Sequence, residues 1–303
     1  MSRWKIWAGA AGLTGALAAS MLVAGPADVA EARPDYRFTT VASGLSIPWD
    51  VTWVGPLMLF DQRSGGVWSK RGSAKPRKVE MPMPTPFVNG EGGLLGMVAH
   101  PEAASNKQFY TCQTTKAARD VRVLRWRLTS DTRAVAVGKP IVTGIPLTSG
   151  RHSGCRLRFS QKGMLYIGTG DAAVGTNPQS RSSLGGKVLR VHPDGRLPKT
   201  NPFSSSKGNA RYVWNYGHRN IQGIAVRPST GRFYTAEHGP DRDDEVNHVA
   251  KGANYGWNPV PRYNEARPMT DRKKYPKAVR PIWSSGTPTV ATSGLTFLTG
   301  KSW

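Results

Sequence analysis

A chain of 303 residues that is 38% hydrophobic and 20% charged has the apolar content for a sizeable core, which excludes a wholly disordered polymer. The balance of 42 Lys+Arg against 19 Asp+Glu gives a formal net charge of +23, but the bases are dispersed rather than gathered in a stripe. That pattern argues against a nucleic-acid partner and for a solvated basic surface with weak adhesion to anionic cell-envelope polymers.

Residues 1–32 read as an export signal. Arg3 and Lys5 precede an apolar run from Trp7 to Ala24, and Ala30-Glu31-Ala32 supplies a small-x-small cleavage site. The run is short and weakly apolar for a membrane span, and no later stretch is apolar enough to cross a bilayer. The mature chain, 33–303, is therefore expected outside the cytoplasm, secreted, periplasmic or associated with the cell envelope. Cys112 and Cys155 suit an oxidising compartment; each lies in an expected strand, as a bridge between neighbouring β-units or as two buried thiols, and their spacing carries no metal signature.

The mature chain is organised as a repeat. GLLGMVAHPEAASNKQFYTC, SGCRLRFSQKGMLYIGTGD and QGIAVRPSTGRFYTAEHG share a small residue, an apolar strand, a Pro-, Gly- or Lys-rich turn and an aromatic-containing strand. Weaker copies are IPWDVTWVGPLMLFDQRSGGVW near the start and SGLTFLTGKSW at the end. Successive copies lie roughly 50 to 70 residues apart, the spacing of propeller blades with long loops. Helical periods are almost absent, and Gly 34 with Pro 23 suits many tight connections. The expected fold is all-β, a β-propeller. Because the fifth copy stops almost as it starts, the chain is expected to lack most of its last blade.

A hairpin returns the chain to its starting end, so the residues flanking each repeat should share one rim. His152 precedes one expected strand, Asp171 ends its return strand, and Arg219, Asn220 and the run Glu237-His238-Gly239-Pro240 flank the 224–235 hairpin. A carboxylate beside an imidazole orients it and supports it as a general base near neutral pH. The acidic run Asp241–Glu245 reads equally as a calcium site or as an Asp-rich turn capping its own backbone. Gly185-Gly186-Lys187 lacks the spacing and context of a phosphate loop. Trp214, Trp257 and Trp283 suit stacking on a sugar or planar cofactor, or filling the cores between blades.

The strings GEGGLLGMVAHP, SGRHSGCRLRF, LYIGTGD, SSLGGKVLRV, YGHRNIQGIAV, EHGPDRDDEVN, GANYGWNPV and PTVATSGLTF occur in an order that resembles the soluble quinoprotein sugar dehydrogenases of the glucose/sorbosone type, over residues 38–297. The resemblance implies a six-bladed propeller carrying pyrroloquinoline quinone (PQQ) and calcium, with an aldose sugar as substrate and an external electron acceptor. By position it implies His152 as general base, Asp171 as its orienting carboxylate and Arg219 as the cation beside the quinone oxygen. It likewise implies Asn220, His238 and Thr289 as cofactor contacts, and Gly239 and Pro240 as carbonyl ligands of calcium. His238 and Glu91 stand where some relatives carry glutamine and a neutral amide, so substrate preference does not transfer. A calcium-binding, non-catalytic propeller recognising carbohydrate or protein is the alternative from another class; a metal-dependent hydrolase would need several carboxylates around one metal.

Overall fold

The computed structural model describes residues 38–300, so the expected signal at 1–32 lies outside the described residues. Within the compact unit Ala42–Trp303, four antiparallel sheets follow one another along the chain. The first holds β1 (Pro48–Val54), β2 (Leu57–Gln62), β3 (Val67–Arg71) and β4 (Arg77–Val79). The second holds β5 (Leu94–Ala99), β6 (Gln108–Thr115), β7 (Asp120–Ser130) and β8 (Arg133–Ala136), with β9 (Val142–Pro146) also on β7. The third holds β10 (Gly154–Phe159), β11 (Leu165–Thr169), β12 (Lys187–Val191) and β13 (Val213–Tyr216). The fourth holds β14 (Ile221–Val226), β15 (Phe233–Glu237), β16 (Glu245–His248) and β17 (Trp283–Ser284).

This is a propeller-like succession of blades, and four of the five expected copies form sheets. The innermost strands β1, β5, β10 and β14 lie against one another in series, so β5, β10 and β14 are buried on both faces. Burial on both faces explains their nearly continuous apolar runs. One apolar cluster joins the second and third sheets through Leu95, Val123, Leu157, Ile167 and Leu189; another joins the first and second through Leu59, Leu94, Phe109 and Trp126. The fifth copy forms no strand among the described residues, and 293–300 run irregularly. Its residues still pack: Phe297 meets Tyr234 of β15 edge-on at 5.2 Å.

Glycine sets the blade spacing. A methyl group on Gly96 of β5 would collide with the Cys155 carbonyl of β10, and one on Gly223 of β14 would collide with the Ser293 carbonyl. The cysteines are bridged: Cys112 of β6 and Cys155 of β10, with Cα atoms 5.5 Å apart, tie the second sheet to the third. Among the described residues no helix is long and apolar enough to cross a membrane.

Beneath the fourth sheet's rim lies a buried carboxylate pair. Burial, with the Glu237 charge adding to it, pushes the Glu245 carboxyl up to about 8, and Asn247 donates to both side chains. A folded-state value above the unfolded one adds stability that is complete below about 4.5 and is lost as pH rises through about 8. Thermal unfolding followed from pH 5 to pH 8 should show a Tm that falls by several degrees. Glu245→Gln, which can keep the Thr270 and Asn247 contacts, should flatten that slope; an unchanged slope would assign the dependence to other groups.

Candidate active site

The ends of two hairpins meet as the sequence implies. Asp171 N–H donates to Arg219 O at 2.8 Å, Gly170 pairs with Asn220 in an isolated bridge, and His238 N–H donates to Asn220 O at 3.0 Å. The first two bonds stitch the third sheet to the fourth, the last closes the end of the β14–β15 hairpin, and together they bring His152, Asp171, Arg219, Asn220 and His238 onto one rim.

His152 sits in the left-handed region, φ 52°, two residues before the start of β10. Such a conformation costs a non-glycine residue about 1–2 kcal/mol and persists where the surroundings fix it. Here Ala172 N–H donates to the His152 carbonyl, and Ser153 Oγ donates to Gly150 O at 2.8 Å. The imidazole is 2% exposed and its Nδ1 lies 2.8 Å from Asp171 Oδ1.

Asp171 is fully buried and saturated with donors. Trp257 Nε1–H reaches Oδ2 at 2.8 Å, Tyr263 O–H reaches Oδ2 at 2.7 Å, and Ala173 N–H reaches Oδ1 at 2.8 Å. Burial, then the Asp171 charge, pushes the Tyr263 hydroxyl far above its ordinary value, so it stays a neutral donor. A carboxylate that accepts from Nδ1–H leaves the lone pair on Nε2. That nitrogen has no hydrogen-bond partner among the described residues.

Behind Asp171, the buried Lys187 Nζ donates to the carbonyls of Asn177 and Pro178 at 2.7 and 3.0 Å, and to Gly185. Burial pulls its pKa to about 7, the Asp171 charge acting the other way. The side chain staples the loop after Asp171 from within, consistent with reading Gly185-Gly186-Lys187 as no phosphate loop.

Arg219 is 4% exposed. Its Nη1–H donates to His238 O at 3.1 Å, its Nη2–H to Glu265 Oε1 at 2.6 Å, and the guanidinium lies 5.8 Å from the Trp257 ring centre. Its Nε is buried without a partner among the described residues. Asn220 Nδ2–H donates to Glu91 Oε2 at 2.8 Å, while its Oδ1 accepts from Gly154 N–H at 3.2 Å. His238 is half-buried, its ring bonded through Nε2 to Thr292 O at 2.5 Å.

The acidic run resolves in part as a turn. Asp244 is fully buried and accepts from the backbone N–H groups of Gly239, Val290 and Thr292, tying the 239–240 loop to the segment that carries Thr289. Thr289 N–H donates to Asp241 O at 3.2 Å. The carbonyls of Gly239 and Pro240 accept no hydrogen bond among the described residues. No cluster of three or more His, Cys, Asp or Glu with metal-holding geometry occurs among them either. Of the three tryptophans, only Trp257 joins this rim, as a fully buried donor to Asp171 whose ring faces the Arg219 guanidinium; Trp214 packs edge-on to Tyr166, and Trp283 is 44% exposed on β17.

Sequence reasoning missed Tyr263, Glu265 and Arg151. The first two lie on an irregular segment with no strand period, and Arg151 reads as an ordinary surface base until Glu265 is placed 2.7 Å from it.

Comparison with known proteins gives the arrangement a family. The chain is 34% identical to the aldose sugar dehydrogenase YliI of Escherichia coli over 58% of its length and 48% of the relative's. It is 28% identical to the quinoprotein glucose dehydrogenase B of Acinetobacter calcoaceticus over 79% of its length and 56% of that relative's. The chain thus spans about half the length of these two relatives. Its fold superposes on the PQQ-bound aldose sugar dehydrogenase of Streptomyces coelicolor with a TM-score of 0.70 at 31% identity, covering 86% of this chain and 74% of that one. The family model for glucose/sorbosone dehydrogenases matches residues 45–303, and the chain belongs to that family.

Proposed function

We propose that this chain is an exported sugar dehydrogenase that oxidises the anomeric hydroxyl of aldoses to lactones, using PQQ with calcium and an external electron acceptor. The observation that carries the reading is His152, its Nδ1 fixed by a buried, donor-saturated Asp171, on the same rim as a buried Arg219. The residues present fit the cofactor pair. The partnerless Nε–H of Arg219 suits an anionic or quinone oxygen, and the uncommitted carbonyls of Gly239 and Pro240 suit a hard cation.

In this reading Nε2 of His152 takes the proton of the anomeric hydroxyl as hydride leaves the same carbon, which becomes the lactone carbonyl. Asp171 holds the imidazole in the required tautomer and stabilises the positive charge it gains. Arg219 offers a fixed cation where negative charge grows, a role that needs a preorganised donor. Bound PQQ with calcium supplies the two-electron acceptor. Asn220, His238 and Thr289 complete the proposed cofactor contacts.

We read the domain as residues 33–303 behind an export signal at 1–32, and its architecture as a six-bladed propeller in which 293–297 supply the inner strand of a fifth blade. The close approach of Gly223 to Ser293, of the same kind as that of Gly96 to Cys155, supports this.

The test is a titration of the chain with PQQ in excess calcium, followed by absorbance, then dye reduction on adding an aldose. Saturable binding with sugar-dependent reduction is expected. A folded protein that binds no PQQ would remove the reading; one that binds sugar but reduces no dye would favour a non-catalytic propeller.

A further inference from the structure

Among the described residues, Glu265 is the one carboxylate that holds two guanidinium groups of the rim together. Its Oε1 accepts from Arg219 Nη2–H at 2.6 Å and from Arg151 Nη2–H at 2.7 Å, and Arg151 in turn lies 5.6 Å from the ring centre of Tyr263. Burial pushes the Glu265 carboxyl up, but the two guanidiniums outweigh it and hold the group below its ordinary value. It is an anion in place, while its side chain remains 38% exposed.

The engagement with Arg219 is incomplete. A guanidinium presents Nε–H and Nη2–H as a fork that a bidentate anion fills with two parallel bonds. Glu265 takes only the Nη2–H prong, with one oxygen that it shares with Arg151; the Nε–H prong is buried and has no partner among the described residues. The cost of a buried unpaired donor on a charged group stays with the protein until a better-fitting anion arrives.

We propose that Glu265 is an internal stand-in for a ligand anion: it neutralises Arg219 in the cofactor-free protein and yields the guanidinium when PQQ, a tricarboxylate quinone, binds. This rests on the PQQ reading above and adds a competitor built into the chain. Cofactor affinity is then the difference between what Arg219 gains from PQQ and what it loses with Glu265, so the carboxylate holds affinity down. Exchange asks only the Glu265 side chain, 38% exposed, to swing away, because Tyr263 O–H keeps segment 259–267 on Asp171 at 2.7 Å.

The experiment is the PQQ dissociation constant in excess calcium, read from the cofactor's absorbance without substrate, for the wild-type chain, Glu265→Gln and Glu265→Ala. Glu102→Gln, the same charge change at an exposed carboxylate in the β5–β6 connection, serves as the control for net charge. Both Glu265 variants should bind PQQ about tenfold more tightly, with Glu102→Gln unchanged, since only a local competitor is removed. Wild-type binding with equal or weaker affinity in the folded Glu265 variants would overturn the stand-in role alone. Equal tightening by Glu102→Gln would also overturn it, by assigning the effect to overall charge. No binding by any folded variant would overturn the PQQ reading, and this inference with it.

Discussion

Replacing His152 by alanine should lower kcat/KM for aldose oxidation about 10³-fold, within the range that general base catalysis contributes. The fold should survive the change. Asp171 would lose one donor but keep Trp257 Nε1–H, Tyr263 O–H and Ala173 N–H, so no buried carboxylate is left without partners. Asp171→Ala should behave differently: it removes the acceptor that three side-chain donors share, two of them on the 257–263 segment, and should lower both activity and Tm. Dye-linked activity and thermal unfolding of the two variants separate the roles. A His152→Ala enzyme retaining more than about a tenth of wild-type kcat/KM would assign the proton to another group.

Removing the disulfide should cost about 4 kcal/mol of stability in the chain-entropy account, given a sequence separation of 43 between Cys112 and Cys155. The double replacement by alanine is the appropriate variant, because both positions are fully buried in the cluster that joins the second and third sheets. Alanine there leaves no buried hydroxyl without a partner, as serine would. Denaturant unfolding of the two forms measures the difference, and a loss below about 1 kcal/mol would mean that the reduced, unfolded chain is already restricted.

Hairpins were legible because their turns are punctuated. Arg227-Pro228-Ser229-Thr230-Gly231-Arg232 is a turn by composition, and once the strands on either side pair, Arg219 and His238 must lie at one end. The same logic placed His152 and Asp171 together, since β10 pairs with β11. The fifth copy has the composition of a strand but no partner among the described residues, and a strand is defined by its pairing. The segment 257–267 was opaque for another reason. Tyr263 meets His152 across 111 residues and Asp171 across 92, through an irregular chain in which no period says where a side chain will point. The acidic run became legible only in part, where Asp244 gathers three backbone N–H groups.

The glycines that let neighbouring blades touch have a consequence for how this site tolerates change. The proposed base stands on the third sheet, the cation on the fourth, and the loop that braces both follows the fourth sheet's strands β14–β16. No single sheet owns the geometry; it is a property of the pitch between sheets. Gly168 of β11, whose added methyl would press on the Ile221 side chain of β14, lies between the two halves of the site. A substitution there alters none of the proposed catalytic atoms, yet it acts as a wedge between β11, which leads to Asp171, and β14, which follows Arg219. Substitutions at these contact glycines should accordingly lower activity by shifting one sheet against the next.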